Sequence, residues 1–211
     1  MKSDFEVSRL PSKVLVFSVT AVGLLHNSIF VSSTPEILRS LGESENLAGL
    51  LIAAGSVPGI VVAPLIGFLA DRFGRKKVLI PCLIIYGVFG VLVGLSPSLF
   101  WFLLIRIFQG LGSAGLINLV VVIISDNWVS LDRARLIGQN AAAITISVAI
   151  YPVLGGAITD LIGWRWTFLA FLAPLVVAFF VSKNLEDHRP GLDVSVKDQI
   201  SGALSEVVKP A

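Results

Sequence analysis

The chain has 211 residues, 55% of them hydrophobic and 14% charged, with a mean hydropathy of +0.88; a soluble domain carries about 25% charged residues. A soluble globular domain is therefore excluded, since too little polar surface exists to cover its core, and a disordered chain is excluded more firmly. The net charge of +2 gives no footing for a nucleic-acid partner, and one cysteine, Cys82, excludes an internal disulfide framework and any multi-cysteine metal site.

Crossing a bilayer takes about 20 apolar residues. Six runs of about that length, at 14–31, 47–70, 78–95, 99–124, 136–159 and 166–182, predict an all-α integral membrane bundle over residues 1–182. Barrel strands would be shorter and alternating. The first run is longer than a typical signal core and five more follow it, so it is expected to be retained. It holds His26 and Asn27, and a polar break at 32–46 follows. The second run ends in a tight charged loop at 71–77, and the third in the turn Ser96-Pro97-Ser98.

The fourth run contains Arg106, with Gln109, Gly110 and Ser113 at i+3, i+4 and i+7 as one polar, small-residue stripe and Asn118 further on. A second polar break spans 125–135. The fifth run carries Gln139, Asn140, Ser147 and Tyr151, then Pro152, Gly155 and Gly156. That proline can bend the helix, and the glycines permit tight packing. Trp101, Trp164 and Trp166 fall near one membrane boundary and Trp128 near the other, as interface anchors. After residue 182, Ile200, Ala203, Leu204, Val207 and Val208 recur at helical spacing, predicting an amphipathic surface helix in the tail 183–211.

Orientation follows from counting basic residues. One side collects 13 of the 16 Lys and Arg, and the other only Arg39 and Arg165, with Arg106 inside a span. By the positive-inside rule both termini are cytoplasmic, as an even number of spans also requires. The ends of the second and fifth runs both read G-x-x-x-D-x-x-G, at Gly67, Asp71 and Gly74 and at Gly156, Asp160 and Gly163. Each copy follows a proline and precedes an arginine, and the two copies end on opposite sides. Three spans followed by three related spans of opposite topology form a 3+3 inverted repeat, which points to a transporter. Within the first copy, Gly67 is expected to let another helix approach closely. Asp71 can cap a neighbouring helix N-terminus or pair with Arg75, Gly74 permits the turn, and Arg75, Lys76 and Lys77 hold the loop at the cytoplasmic face as a conformational latch.

Ionisable residues inside a membrane are costly and mark function. Arg106 and His26 each lie roughly 10 Å inside the outer boundary at 1.5 Å per residue, a depth compatible with contact. Arg106 either binds an anionic group or biases a neighbouring protonation site, or it is a structural arginine bonded to carbonyls and Gln109. No Asp or Glu occurs between Glu6 and Glu36, which leaves His26 as the first span's proton candidate, since imidazole titrates near neutral pH. There is no H-E-x-x-H, G-x-S-x-G or Gly-rich phosphate loop, so an enzyme, a metal centre and a cofactor are not expected.

The sequence G-F-L-A-D-R-F-G-R-K-K at 67–77 closely resembles the signature loop between spans two and three of the major facilitator superfamily. Arg106 to Ala114 is similar to that family's R-x-x-Q-G-x-G pattern. Tyr151 to Gly156 resembles its antiporter motif, with Tyr151 in place of the first glycine. Gly163 to Phe168 resembles the junction before span six. The likeness covers residues 13–182 and is nearest to the twelve-span drug/proton antiporters. It implies alternating access, a cavity lined by spans one and four, and a role for Arg106 in biasing protonation. It also implies two six-span halves, of which this chain supplies the first. The expectations are then a fragment, a half-transporter completed by a second copy or a missing C-terminal half, or a non-transporting membrane subunit. The function expected is proton-coupled efflux of small amphipathic molecules across a plasma membrane. The alternative is uptake of a metabolite or organic anion with Arg106 as clamp.

Overall fold

The computed structural model describes residues 11–185, so the predicted tail helix lies outside the described residues. Six helices are long and apolar enough to cross a membrane: span one Lys13–Ser40, span two Glu45–Phe73, span three Arg75–Val93, span four Leu99–Asn127, span five Ser130–Ile162 and span six Trp164–Asn184. No strand occurs among the described residues. The described residues form an all-helical, multi-pass membrane bundle.

Most of these helices overrun the apolar runs in the sequence. The polar break at 32–46 is largely helical, through a 3-10 turn at Val31–Ser33 and a helix at Thr34–Ser40. The break at 125–135 shrinks to Trp128 and Val129. Polarity marks where a helix leaves the hydrocarbon, not where its backbone hydrogen bonds stop. Arg133 closes that second junction by donating to the carbonyls of Ser125 at 2.8 Å and Trp128 at 3.0 Å.

Spans one and four form the centre, with 61% and 56% of their apolar windows buried, against 17% for span two and 11% for span five. The outer faces of those two, with Ile60, Val61 and Leu65 or Ile146 and Val153, are exposed. Both central spans are broken. Span one stops at Gly23, turns at Leu24 and resumes at Leu25–Ser28. Span four breaks at Ala114 and Gly115, between helices Leu99–Ser113 and Leu116–Asn127. Span five runs unbroken through Pro152.

Small residues set the crossings. A Cβ on Gly110 would strike the backbone of Gly55, one on Gly112 would lie 2.5 Å from the Tyr86 nitrogen, and one on Gly155 would strike the Ile29 carbonyl. The close approach expected at Gly67 is not made among the described residues, none of which lies within 4 Å of the position its Cβ would take. The tryptophans divide. Trp101 and Trp166 are half exposed, as anchors should be, whereas Trp128 and Trp164 are buried. Trp164 donates its indole N–H to Ser40 Oγ at 2.8 Å and packs edge-on against Phe102 and Phe168, so it is a core residue.

The repeat is visible in the backbone. Spans two and five both end on a glycine with positive φ, Gly74 at 102° and Gly163 at 100°, a region that favours glycine. In each, that glycine's N–H bonds back to residue i−4, Ala70 or Thr159, at 3.1 and 3.0 Å.

Candidate functional site

The break in span one releases carbonyls that a continuous helix would occupy, and side chains from three other spans take them. Tyr86 of span three donates to Val22 O at 3.0 Å and accepts the His26 N–H at 2.9 Å. Tyr151 of span five donates to Ala21 O at 2.9 Å. Arg106 of span four donates Nη2 to His26 O at 3.0 Å. In the membrane no water is at hand to satisfy these groups, so each partner is part of what makes the break tenable. Tyr86 was not anticipated from the sequence. Its only signal there is a hydroxyl in the middle of an apolar span, where it must find a partner.

Beside the break lies an open-sided cavity of about 260 Å³ between spans one, two and four. Of the expected pathway residues, His26, Asn27, Ser113 and Asn118 line it, together with Ser56 and Gly59 of span two. Ser56 Oγ donates to Asn27 Oδ1 at 3.1 Å, and Ser113 Oγ to Gly110 O at 2.8 Å. His26 Nδ1 lies 3.2 Å from Gly23 O, and among the described residues His26 is the only titratable side chain in the lining.

Arg106 is not in the lining. It is fully buried behind it, held by three groups: Nη1 donates to Gln109 Oε1 at 2.8 Å, Nη2 to the His26 carbonyl, and the guanidinium lies 4.0 Å from the Phe30 ring centre. A Cβ at Gly55 would lie 2.8 Å from Nη2, so the glycine makes room for the guanidinium. No carboxylate among the described residues pairs with Arg106. Its Nε and the Gln109 Nε2 are buried without hydrogen-bond partners. The equal depth of Arg106 and His26 does reflect contact, through the histidine backbone and not its ring.

Asn140 and Tyr151 lie apart from the cavity, at the seam of spans one and five. Asn140 Oδ1 accepts from Thr20 Oγ1 at 2.6 Å, and Tyr151 holds Ala21 as described. Further along the same seam, Ser33 Oγ bonds Thr159 Oγ1, Gly155 abuts Ile29, and Gly156 is in ordinary contact with Ser32.

At the end of the bundle carrying the basic loop, Arg75 is buried and ties three points together. Nη2 pairs with Asp71 at 2.8 Å, Nε with Asp126 at 2.9 Å, and Nη1 donates to Ala70 O at 3.0 Å. Arg75 thus joins span two to span four. Asp126 was missed in the sequence, where it reads as one of several polar residues in a break. Lys76 is half buried on the following turn.

The Major Facilitator Superfamily family model matches residues 15–210. The chain belongs to the major facilitator superfamily. Among curated relatives, the bacillibactin exporter of Bacillus subtilis (strain 168) is 31% identical over 160 residues, covering 72% of this chain and 39% of that protein. Multidrug resistance protein 3 of the same organism is 26% identical over 174 residues, covering 80% of this chain and 34% of that protein. The chain therefore spans well under half the length of these relatives. Among solved structures, a bacterial homologue of the human lysosomal transporter Spinster, in an inward-facing and occupied conformation, superposes with a TM-score of 0.76 at 21% identity. That match covers 90% of this chain and 47% of the other. The fold is that of one major facilitator half; Asp71 and Arg75, and of the cavity lining Ser113 and Ala114, fall within the motifs by which the sequence resembles this transporter family.

Proposed function

We propose that this chain forms the N-terminal half of a secondary transporter that exports small amphipathic molecules by alternating access, coupled to protons, from a cell whose plasma membrane it spans with both termini cytoplasmic. The observation that carries the reading is the cavity beside the break in span one. It sets hydrogen-bonding groups of Asn27, Ser56, Ser113 and Asn118 on an otherwise apolar wall, as sites for amphipathic ligands are built. The chain's likeness to a bacillibactin exporter and a multidrug resistance protein supports export. A missing C-terminal half, or a second copy, supplies the opposite wall. In this reading the Arg75 latch closes one access state and opens in the other.

His26 is the proton-carrying side chain in this half, as the only titratable group in the cavity lining. Direct clamping of an anion by Arg106 loses support, since both of its terminal nitrogens are engaged inside the bundle. The test uses energised inside-out vesicles from the source cells, with substitutions placed in the chromosomal copy. Fluorescent amphiphiles should accumulate in vesicles of the parent and not of the deletion strain. His26→Gln should remove the response to an imposed pH gradient. An unchanged response would end the proton assignment to His26.

A further inference from the structure

The charge layout of the bundle bears on which substrates the cavity accepts. The seven carboxylates among residues 11–185 all sit at span ends or in connections. Arg106 is the one formally charged side chain in the middle of a span among the described residues. Its partners are a peptide carbonyl, an amide oxygen and an aromatic face. These engage the two terminal nitrogens and supply favourable dipoles, but they leave Nε without a partner and a net unit charge that arginine does not lose at any working pH. His26 is at once the residue whose carbonyl holds Arg106 and a wall of the cavity. The charge therefore stands one backbone's thickness from any bound molecule, in surroundings whose low polarity carries its field into the cavity.

We propose that this cavity prefers anionic amphipathic substrates to cationic ones of the same shape, because the unbalanced charge of Arg106 acts on it through the His26 wall. This rests on the export reading above and adds the substrate's charge class. Arg106 acts as a specificity-determining residue at a distance and does not touch the ligand. A unit charge behind one wall of the cavity, at an effective dielectric of about 20, shifts the affinity of a monoanion by about tenfold or more. After screening, a preference of about tenfold or more over the matched cation is expected.

The same chromosomal-variant vesicles test it, using fluorescein methyl ester, a monoanion once its phenol is ionised, and rhodamine 123, the monocationic diamino analogue on the same esterified xanthene core. In the parent, kcat/KM for the anion should exceed that for the cation by about tenfold or more. Arg106→Gln should shrink this ratio about tenfold. Arg106→Lys should keep it within about threefold, since a point charge suffices where no guanidinium fork grips the ligand. Asn118→Asp, which adds a negative charge to the wall without disturbing the groups around Arg106, should shrink the ratio as well. It decides the matter if Arg106→Gln fails to reach the membrane. A parent ratio at or below one, or a ratio unmoved by the charge-changing variants, overturns the charge inference alone. No energy-dependent movement of either dye beyond the deletion strain overturns the export reading and, with it, this one.

Discussion

The two copies of G-x-x-x-D-x-x-G have the same backbone and opposite wiring. Gly74 and Gly163 share a φ near +100° and the same bond back to residue i−4. In the first copy Arg75 follows the glycine directly, turns inward, and draws Asp71 and Asp126 together. In the second, Trp164 takes that position and plugs into Phe102 and Phe168. Its arginine comes one residue later and lies outside, 4.3 Å over the Trp164 ring, donating to Ser96 O at 3.3 Å. Asp160 forms no ion pair among the described residues. One inserted residue therefore converts a charged latch into an aromatic plug. The first end is held by ion pairs around a buried arginine and the second by buried aromatic contact.

The largest effect expected of that difference is on the plug. Trp164→Ala should destabilise the bundle by about 3–5 kcal/mol through loss of buried aromatic contact, read as a fall in thermal unfolding temperature in detergent. A loss under about 1 kcal/mol would mean that Trp164 is an interface anchor after all. Next comes the latch. Arg75→Gln should cost about 1–3 kcal/mol, since it leaves Asp126 facing an uncharged amide, and should reduce transport far more than that loss of stability explains. A double-mutant cycle sharpens the point. Coupling between Arg75 and Asp126 should reach about 1–2 kcal/mol. Coupling between Arg75 and the more exposed Asp71 should stay under about 1 kcal/mol. Equal couplings would place the latch within span two alone.

A smaller effect separates adjacent glycines near the second copy. A Cβ at Gly155 strikes the Ile29 carbonyl, while one at Gly156 meets Ser32 no closer than 3.6 Å. Gly155→Ala should therefore cost about 1–3 kcal/mol from overpacking, and Gly156→Ala under about 0.5 kcal/mol. Equal costs would show that spans one and five do not meet as closely as the Gly155–Ile29 approach requires.

How far the sequence could carry these conclusions depended on the range of the signal. Six apolar runs and a repeated eight-residue pattern are local, so the spans and the inverted repeat were legible from residue order. The depth of Arg106 and His26 was legible as well, because depth is a count along a helix. Contacts across the bundle were not. Nothing near Asp126 in the chain says that it meets Arg75, 51 residues away. Tyr86 gives no hint that span one will break 63 residues earlier and need its hydroxyl. Burial also separated residues that composition treats alike. Trp101 and Trp164 are both tryptophans near one boundary, yet only the second points into the bundle. Asn27 and Asn140 are both amides within spans, yet only the first faces the cavity.

Gly67 gives the smallest expected effect and a clean division between what this half needs and what lies beyond it. It opens the first copy of the repeat, where a sequence reading expects a close helix crossing, yet nothing among the described residues comes within 4 Å of its missing side chain. Span two is also one of the two least buried spans. Gly67→Ala should leave thermal stability unchanged within about 0.5 kcal/mol, or raise it slightly, because alanine is the better helix former by up to about 1 kcal/mol. Gly74→Ala, seven residues on, should cost more, because its φ of 102° is strained for any side chain. If Gly67→Ala lowered stability as much as Gly74→Ala, a neighbour inside the bundle would have to be present and the helix placement here would be wrong. If it left stability intact but impaired transport, the glycine would be packing against whatever covers span two, and the close approach expected from the sequence would belong to that contact.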